Sequence, residues 1–189
     1  MKKAFKIFLA IFTILLIILV AFVALIFLDL VAYTATSSQL LQSSDTSLGK
    51  ALVLYDPGLT GAATRVAQKV ATDLQVKNLT VMLAGIKSSV ATNTTGYDVI
   101  VIGGPIYAGG PTNSVKDALH ALVLNHDQNA RIGIFGSGKG PTSPEDVAQI
   151  RQAIPIRSDS SLQDAIVVKI GESEDLDARA SDFVNQLVR

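Results

Sequence analysis

The chain contains no cysteine and no tryptophan, and its formal net charge is zero. Without cysteine it forms no disulfides, ligates no metal or iron–sulfur cluster through sulfur, and carries out no thiol catalysis. Balanced charge gives no electrostatic footprint for nucleic acid, so no nucleic-acid partner is expected. The lack of tryptophan leaves tyrosine and phenylalanine to cover any planar ligand. Histidine is scarce: His120 and His126 are the two present, and neither has a partner at metal-ligand spacing, so no metal site is expected. There is no G-x-S-x-G elbow, and Ser137 has no evident base, which argues against hydrolase chemistry. No G-x-G-x-x-G follows the first strand of the domain, which argues against a dinucleotide fold. Residues 133–139 (GIFGSGK) have the spacing of an NTPase phosphate loop. However, Gly140 stands where the Mg²⁺-binding Ser or Thr belongs, and the first glycine lies inside a predicted strand.

Hydrophobic residues are plentiful, at 49%, with a mean hydropathy of +0.40. The excess is concentrated at the start. Between Ile7 and Leu28 there is no charged residue, and Thr13 is the one polar side chain. A helix needs about 20 apolar residues to cross a bilayer, so residues 1–33 are expected to form a single transmembrane anchor in contact with membrane lipid. Lys2, Lys3 and Lys6 precede the span, and the next basic residue is Lys50. The positive-inside rule then predicts a cytoplasmic N-terminus and an extracytoplasmic domain. Residues 34–48, rich in Ser, Thr and Gln, read as a polar tether. Residues 49–189 are long enough for one globular domain.

In that domain short apolar runs alternate with helical periodicity. Strands are predicted at 51–55, 79–83, 99–102, 131–135 and 165–170, and helices at 61–74, 112–124, from about 143, and 175–188. Five alternating strands predict an α/β fold, a doubly wound parallel sheet with right-handed crossovers. The organising stretch is 98–111 (DVIVIGGPIYAGGP). Four β-branched residues in a row suit a strand buried on both faces, and the run empties into glycine and proline.

Three strand ends carry glycine-rich loops, at 56–61, 103–110 and 136–140. Glycine lets backbone N–H groups approach a ligand, and the first loop feeds a helix N-terminus, a ready site for phosphate. In an open parallel sheet such loops meet at the carboxyl edge, where ligands bind.

At these loops the sequence resembles the flavodoxin family, over roughly residue 49 to the C-terminus. Tyr55-Asp56-Pro57-Gly58-Leu59-Thr60-Gly61-Ala62-Ala63 occupies the place of the family's T-G-N-T phosphate loop. Residues 98–109 are similar to its D-x-I-I-x-G-S-P-x-Y segment, with Pro105 and Tyr107 at matching positions. Residues 131–138 are similar to its fourth strand and glycine loop. One departure stands out: Ala62 and Ala63 replace the expected Asn and Thr.

The resemblance implies strand order 2-1-3-4-5, FMN at the carboxyl edge, and electron transfer. Asp56, Gly58, Thr60, Gly61 and Thr64 would hold the phosphate. Gly104, Pro105, Ile106, Tyr107, Ala108 and Gly109 would line the isoalloxazine ring, with Gly136, Ser137 and Gly138 at its edge. A redox protein or a quinone would be the partner. The competing reading, favoured by Ala62 and Ala63, is a flavin-free interaction module at the membrane. A third is a nicotinamide-dependent flavin reductase, for which no nicotinamide site is visible.

Overall fold

The computed structural model describes residues 2–107, 109–125, 129–155 and 161–189, with side chains for all of these except 2–4, 7, 10, 25–34, 123–125 and 161. The chain divides into two units, one up to Thr34 and one comprising Ala35–Arg189.

The first unit is built from helix α1 (Lys2–Thr36). The described side chains between 11 and 24 are all exposed and, Thr13 apart, apolar. Among the described residues no helix is long and apolar enough to cross a membrane. The expected membrane crossing is therefore not carried by the structure.

The second unit is a seven-stranded sheet rather than the five-stranded one expected. Its parallel strands are β2 (Gly49–Tyr55), β3 (Leu79–Gly85), β4 (Val99–Tyr107), β6 (Arg131–Gly138) and β7 (Ile166–Gly171). They run in the order β3-β2-β4-β6-β7, which is 2-1-3-4-5 counted among themselves. The two additional strands are antiparallel. β1 (Ser38–Leu41) lies inside the segment read as a tether and pairs along the outer edge of β3, with Leu41 opposite Val81. β5 (Gly110–Pro111) folds back on the end of β4, with Tyr107 opposite Gly110.

Helices α2 (Ala62–Val76) and α5 (Leu176–Leu187) cover one face, and α3 (Asn113–Asn125) and α4 (Pro144–Gln152) belong to the other. The sequence explains the division. Along β2, Ala51, Val53 and Tyr55 point into the core beneath α2 and α5, while Leu52 and Leu54 point into the core with Val115, Leu119 and Ile150. Alternation carried entirely by apolar residues is what a doubly covered strand requires. Helix α4 starts where expected: the Ser143 hydroxyl accepts from the Asp146 N–H at 3.2 Å, and an Asp146 carboxylate oxygen accepts from the Ser143 N–H at 3.0 Å. This reciprocal cap follows the Ser-Pro-Glu-Asp sequence directly.

The glycine segments correct the expected strand ends. Strand β4 does not stop at Ile102 but continues through Gly103, Gly104 and Pro105, which lie opposite Phe135, Gly136 and Ser137 of β6. These glycines act as spacers within the sheet. A Cβ on Gly103 would fall into the ring of Phe135, and one on Gly136 would meet the end of Ile106.

Candidate functional site

The carboxyl ends of β2, β4, β6 and β7 enclose a cleft of about 500 Å³. Three loops and the end of β7 build it.

The first loop, between β2 and α2, is held from within. One Asp56 carboxylate oxygen accepts from the Gly58 N–H at 3.1 Å, and the other accepts from the Thr112 hydroxyl at 2.8 Å. Gly58 has φ +61°, and a Cβ there would lie 2.7 Å from Pro105, so glycine is required both for conformation and for room. The Leu59 N–H donates to the Tyr107 hydroxyl at 3.1 Å, which ties the first loop to the second. The loop ends at Gly61, the N-cap of α2, which supplies no capping side chain. The first N–H groups of a helix have no carbonyl partner within it, so this end is suited to an anion.

Thr60 precedes that N-cap. Its hydroxyl accepts from the Ala62 N–H at 3.4 Å and donates to a Glu172 carboxylate oxygen at 3.3 Å. The hydroxyl expected to face a phosphate is thus engaged by a carboxylate.

The third loop leaves β6 through Ser137, Gly138 and Lys139. Ser137 is 1% exposed, and its hydroxyl has no hydrogen-bond partner. A buried hydroxyl left unpaired is unfavourable by about 1–3 kcal/mol, which marks it as a group awaiting a partner.

Behind it stands an ordered polar cluster. The Lys169 ammonium donates to Asp146 at 2.7 Å and to the Pro141 carbonyl at 3.2 Å. The hydrogen bond from Lys169, foremost, holds the Asp146 carboxyl below the usual carboxylate range. Glu174 accepts from the Gly171 N–H and from the Thr142 hydroxyl, both at 2.7 Å. Burial pushes the Glu174 carboxyl up, but these bonds and the nearby Arg179 outweigh it, and the net shift is downward.

Of the residues expected at the site, Thr60, Pro105, Ile106, Tyr107, Gly109, Ser137 and Gly138 line the cleft together. Asp56, Gly58, Gly61, Thr64, Gly104 and Gly136 do not. Asp56 and Gly58 shape the first loop, and Gly104 and Gly136 clear space for Val115 and Ile106. Ala108 lies outside the described residues, as does His126. Sequence reasoning missed Leu59, Ala62, Lys139, Asp146, Lys169 and Glu172. The rule that sites sit at the carboxyl ends of strands, applied to the glycine-poor end of β7, would have found Glu172.

No family model and no curated protein matches the chain. Among solved structures it superposes on a short-chain flavodoxin associated with a non-canonical PDU bacterial microcompartment, with a TM-score of 0.53 and 23% identity over 74% of this chain and 96% of that one. A Streptococcus pneumoniae TIGR4 flavodoxin gives a TM-score of 0.52 at 18% identity, covering 74% and 97%. The fold is flavodoxin-like. The flavodiiron core of Flv1 from Synechocystis sp. PCC6803 shares it, with a TM-score of 0.51 and 16% identity over 78% of this chain. The chain spans only 38% of that protein. The flavodoxin-like fold explains why the three glycine-bearing loops converge: each follows a parallel strand at the same sheet edge.

Proposed function

We propose that the cleft binds FMN and that the protein transfers electrons through it. The observation that carries this reading is the buried, unpartnered Ser137 hydroxyl on the wall of a cleft whose lining includes Leu59, Pro105, Ile106 and Tyr107. Apolar side chains beside polar groups at fixed points are how proteins hold a planar cofactor. Leu59, Ile106 and Tyr107 would bury the ring, Ser137 would meet one of its polar edge atoms, and Thr60 with the α2 N-terminus would face the phosphate. The bound flavin would supply the redox chemistry, and the chain would supply binding, orientation and exclusion of water. No acid–base residue is needed. A partner protein or a quinone would exchange electrons at the open side, where Tyr107 is half exposed.

The test is titration with FMN, followed by loss of flavin fluorescence, on the full chain and on a fragment beginning at Ala35 so as to retain β1. Quenching with saturation is expected. Unchanged fluorescence and a colourless protein would overturn the reading. Tyr107→Ala is expected to weaken binding about tenfold or more through lost ring contact. Tyr107→Phe, which keeps the ring and gives up the bond from Leu59, is expected to weaken it less. Equal effects would mean that Tyr107 serves only to brace the loop.

A second reading, a flavin-free interaction module, is favoured by one observation: Thr60 donates to Glu172, and Ala62 and Ala63 bring no further hydroxyls to the phosphate end.

The membrane placement belongs to the proposal as well. The exposed apolar side chains of α1, including Phe8, Leu15, Ile17 and Phe22, support a single-pass anchor in lipid, and Lys2, Lys3 and Lys6 support a cytoplasmic N-terminus. The protein is expected to stay with membranes through alkaline carbonate washing and to be digested by protease added to spheroplasts. Release by carbonate would remove the anchor, and digestion only after lysis would reverse the orientation.

A further inference from the structure

We propose that Glu172 sets which flavin the cleft prefers, by acting as a built-in competitor of the 5′-phosphate. The inference rests on the flavin reading above.

Glu172 follows β7 and is fixed by its own backbone, whose N–H donates to the Gly138 carbonyl at 2.9 Å. Its carboxylate reaches across the sheet edge and accepts the Thr60 hydroxyl proton at 3.3 Å. Thr60 and Glu172 both line the cleft, and Ala62, at the first position of α2, lines it with them. A phosphate arriving at the α2 N-terminus therefore meets two obstacles. The one hydroxyl on the loop already donates to another anion, and that anion repels the incoming charge.

The charges lining the cleft do not offset this. Between Asp56 and Ala63 there is no basic residue. Among the described residues lining the cleft, the cations are Lys139 and Lys169 and the anions are Asp146 and Glu172. Lys169 is bound to Asp146 and the Pro141 carbonyl, and Lys139 stands exposed on the third loop. The Arg65 guanidinium lies 3.9 Å from where a Cβ on Gly61 would stand, but it shares a cavity of about 70 Å³ with Glu172 and Glu174, two carboxylates against one cation. The ring end of the cleft is indifferent to all of this, because Leu59, Ile106, Tyr107 and Ser137 meet an uncharged ring. A flavin without phosphate keeps the ring contacts and avoids the repulsion.

The experiment compares riboflavin and FMN on the full-length chain in detergent, by fluorescence titration, for the wild type, Glu172→Gln and Glu172→Ala. The wild type is expected to bind FMN no more than a few-fold tighter than riboflavin. Glu172→Gln keeps the size of the side chain and an oxygen for Thr60 but removes the charge. It is expected to tighten FMN about tenfold while leaving riboflavin within twofold. Glu172→Ala, which also frees Thr60, is expected to tighten FMN at least as much. Raising the salt concentration is expected to narrow the gap between wild type and Glu172→Gln for FMN, since screening weakens repulsion at an exposed carboxylate.

A wild type that prefers FMN by a hundredfold or more would overturn the role of Glu172 and leave the flavin reading standing. So would an FMN affinity unchanged in both variants. Failure of both flavins to bind wild type and variants alike would overturn the flavin reading and this inference together.

Discussion

Phe135→Ala is expected to destabilise the domain by about 3–5 kcal/mol, a large part of the roughly 5–15 kcal/mol that holds a domain folded. Phe135 is 1% exposed and sits on β6, between β4 and β7, in the core that also holds Val53, Tyr55, Val101, Ile170 and Phe183. Its ring lies over Gly103, its direct neighbour on β4. A Cβ on Gly103 would occupy the space of that ring, so the two positions are complementary in volume. Gly103→Ala in the wild-type protein is therefore expected to cost about 1–3 kcal/mol through overpacking. In the Phe135→Ala background the same methyl group enters the vacated space, and its cost is expected to vanish or change sign. The double-mutant cycle, measured by urea unfolding, should show the double variant more stable than the sum of the single changes by at least about 1 kcal/mol. Simple additivity would show that the ring and the glycine are not coupled.

The same pair shows how far this fold was legible in the sequence. The five parallel strands follow from apolar runs alternating with helical periods, their order is what the flavodoxin resemblance implies, and the Ser143-Pro144 pair locates the start of α4. The ends of β4 and β6 were not legible. Gly103 and Gly136 interrupt the apolar signal, but the backbone keeps pairing through them because Phe135 and Ile106 fill the room they leave. Strand β1 was hidden for a different reason. It is four residues long, lies at the edge, and leaves Leu40 exposed, so Ser-Gln-Leu-Leu among Ser and Thr carries no strand pattern. At the site, glycine marks where the backbone comes close but says nothing about the side chains opposite. Lys169 comes from β7 and Glu172 from the residue just after it, where there is no glycine-rich run, and Asp146 comes from a helix cap. Their meeting in one cleft is a product of topology rather than of local sequence.

Lys169→Met is expected to be the most damaging single change at the cleft, with a cost of about 2–3 kcal/mol at neutral pH. The figure lies at or below the roughly 3–5 kcal/mol for breaking a fully buried pair, because the Asp146 side chain retains 22% exposure. The Lys169 side chain is only 7% exposed, and removing its ammonium takes the cation from Asp146 and a donor from the Pro141 carbonyl. Asp146 also closes the cap of α4 with Ser143, so the loss reaches the start of that helix. The pH dependence separates the ion pair from simple packing. In the folded wild type the Asp146 carboxyl is held below its ordinary range, chiefly by Lys169. Its contribution to stability is therefore complete above the unfolded value near 3.9 and is lost as the pH falls through the lower folded value. The gap between wild type and Lys169→Met is thus expected to be widest near pH 7 and to close towards pH 2–3. Glu174, also lowered, is untouched by the change and destabilises both proteins in acid alike. Urea midpoints at pH 7 and pH 3 measure the two gaps, and an equal gap at both would show that Lys169 acts through its methylene stem rather than its charge. Asp146→Asn added to Lys169→Met removes the stranded charge while keeping a side-chain oxygen for the Ser143 N–H, and is expected to recover part of the loss at neutral pH.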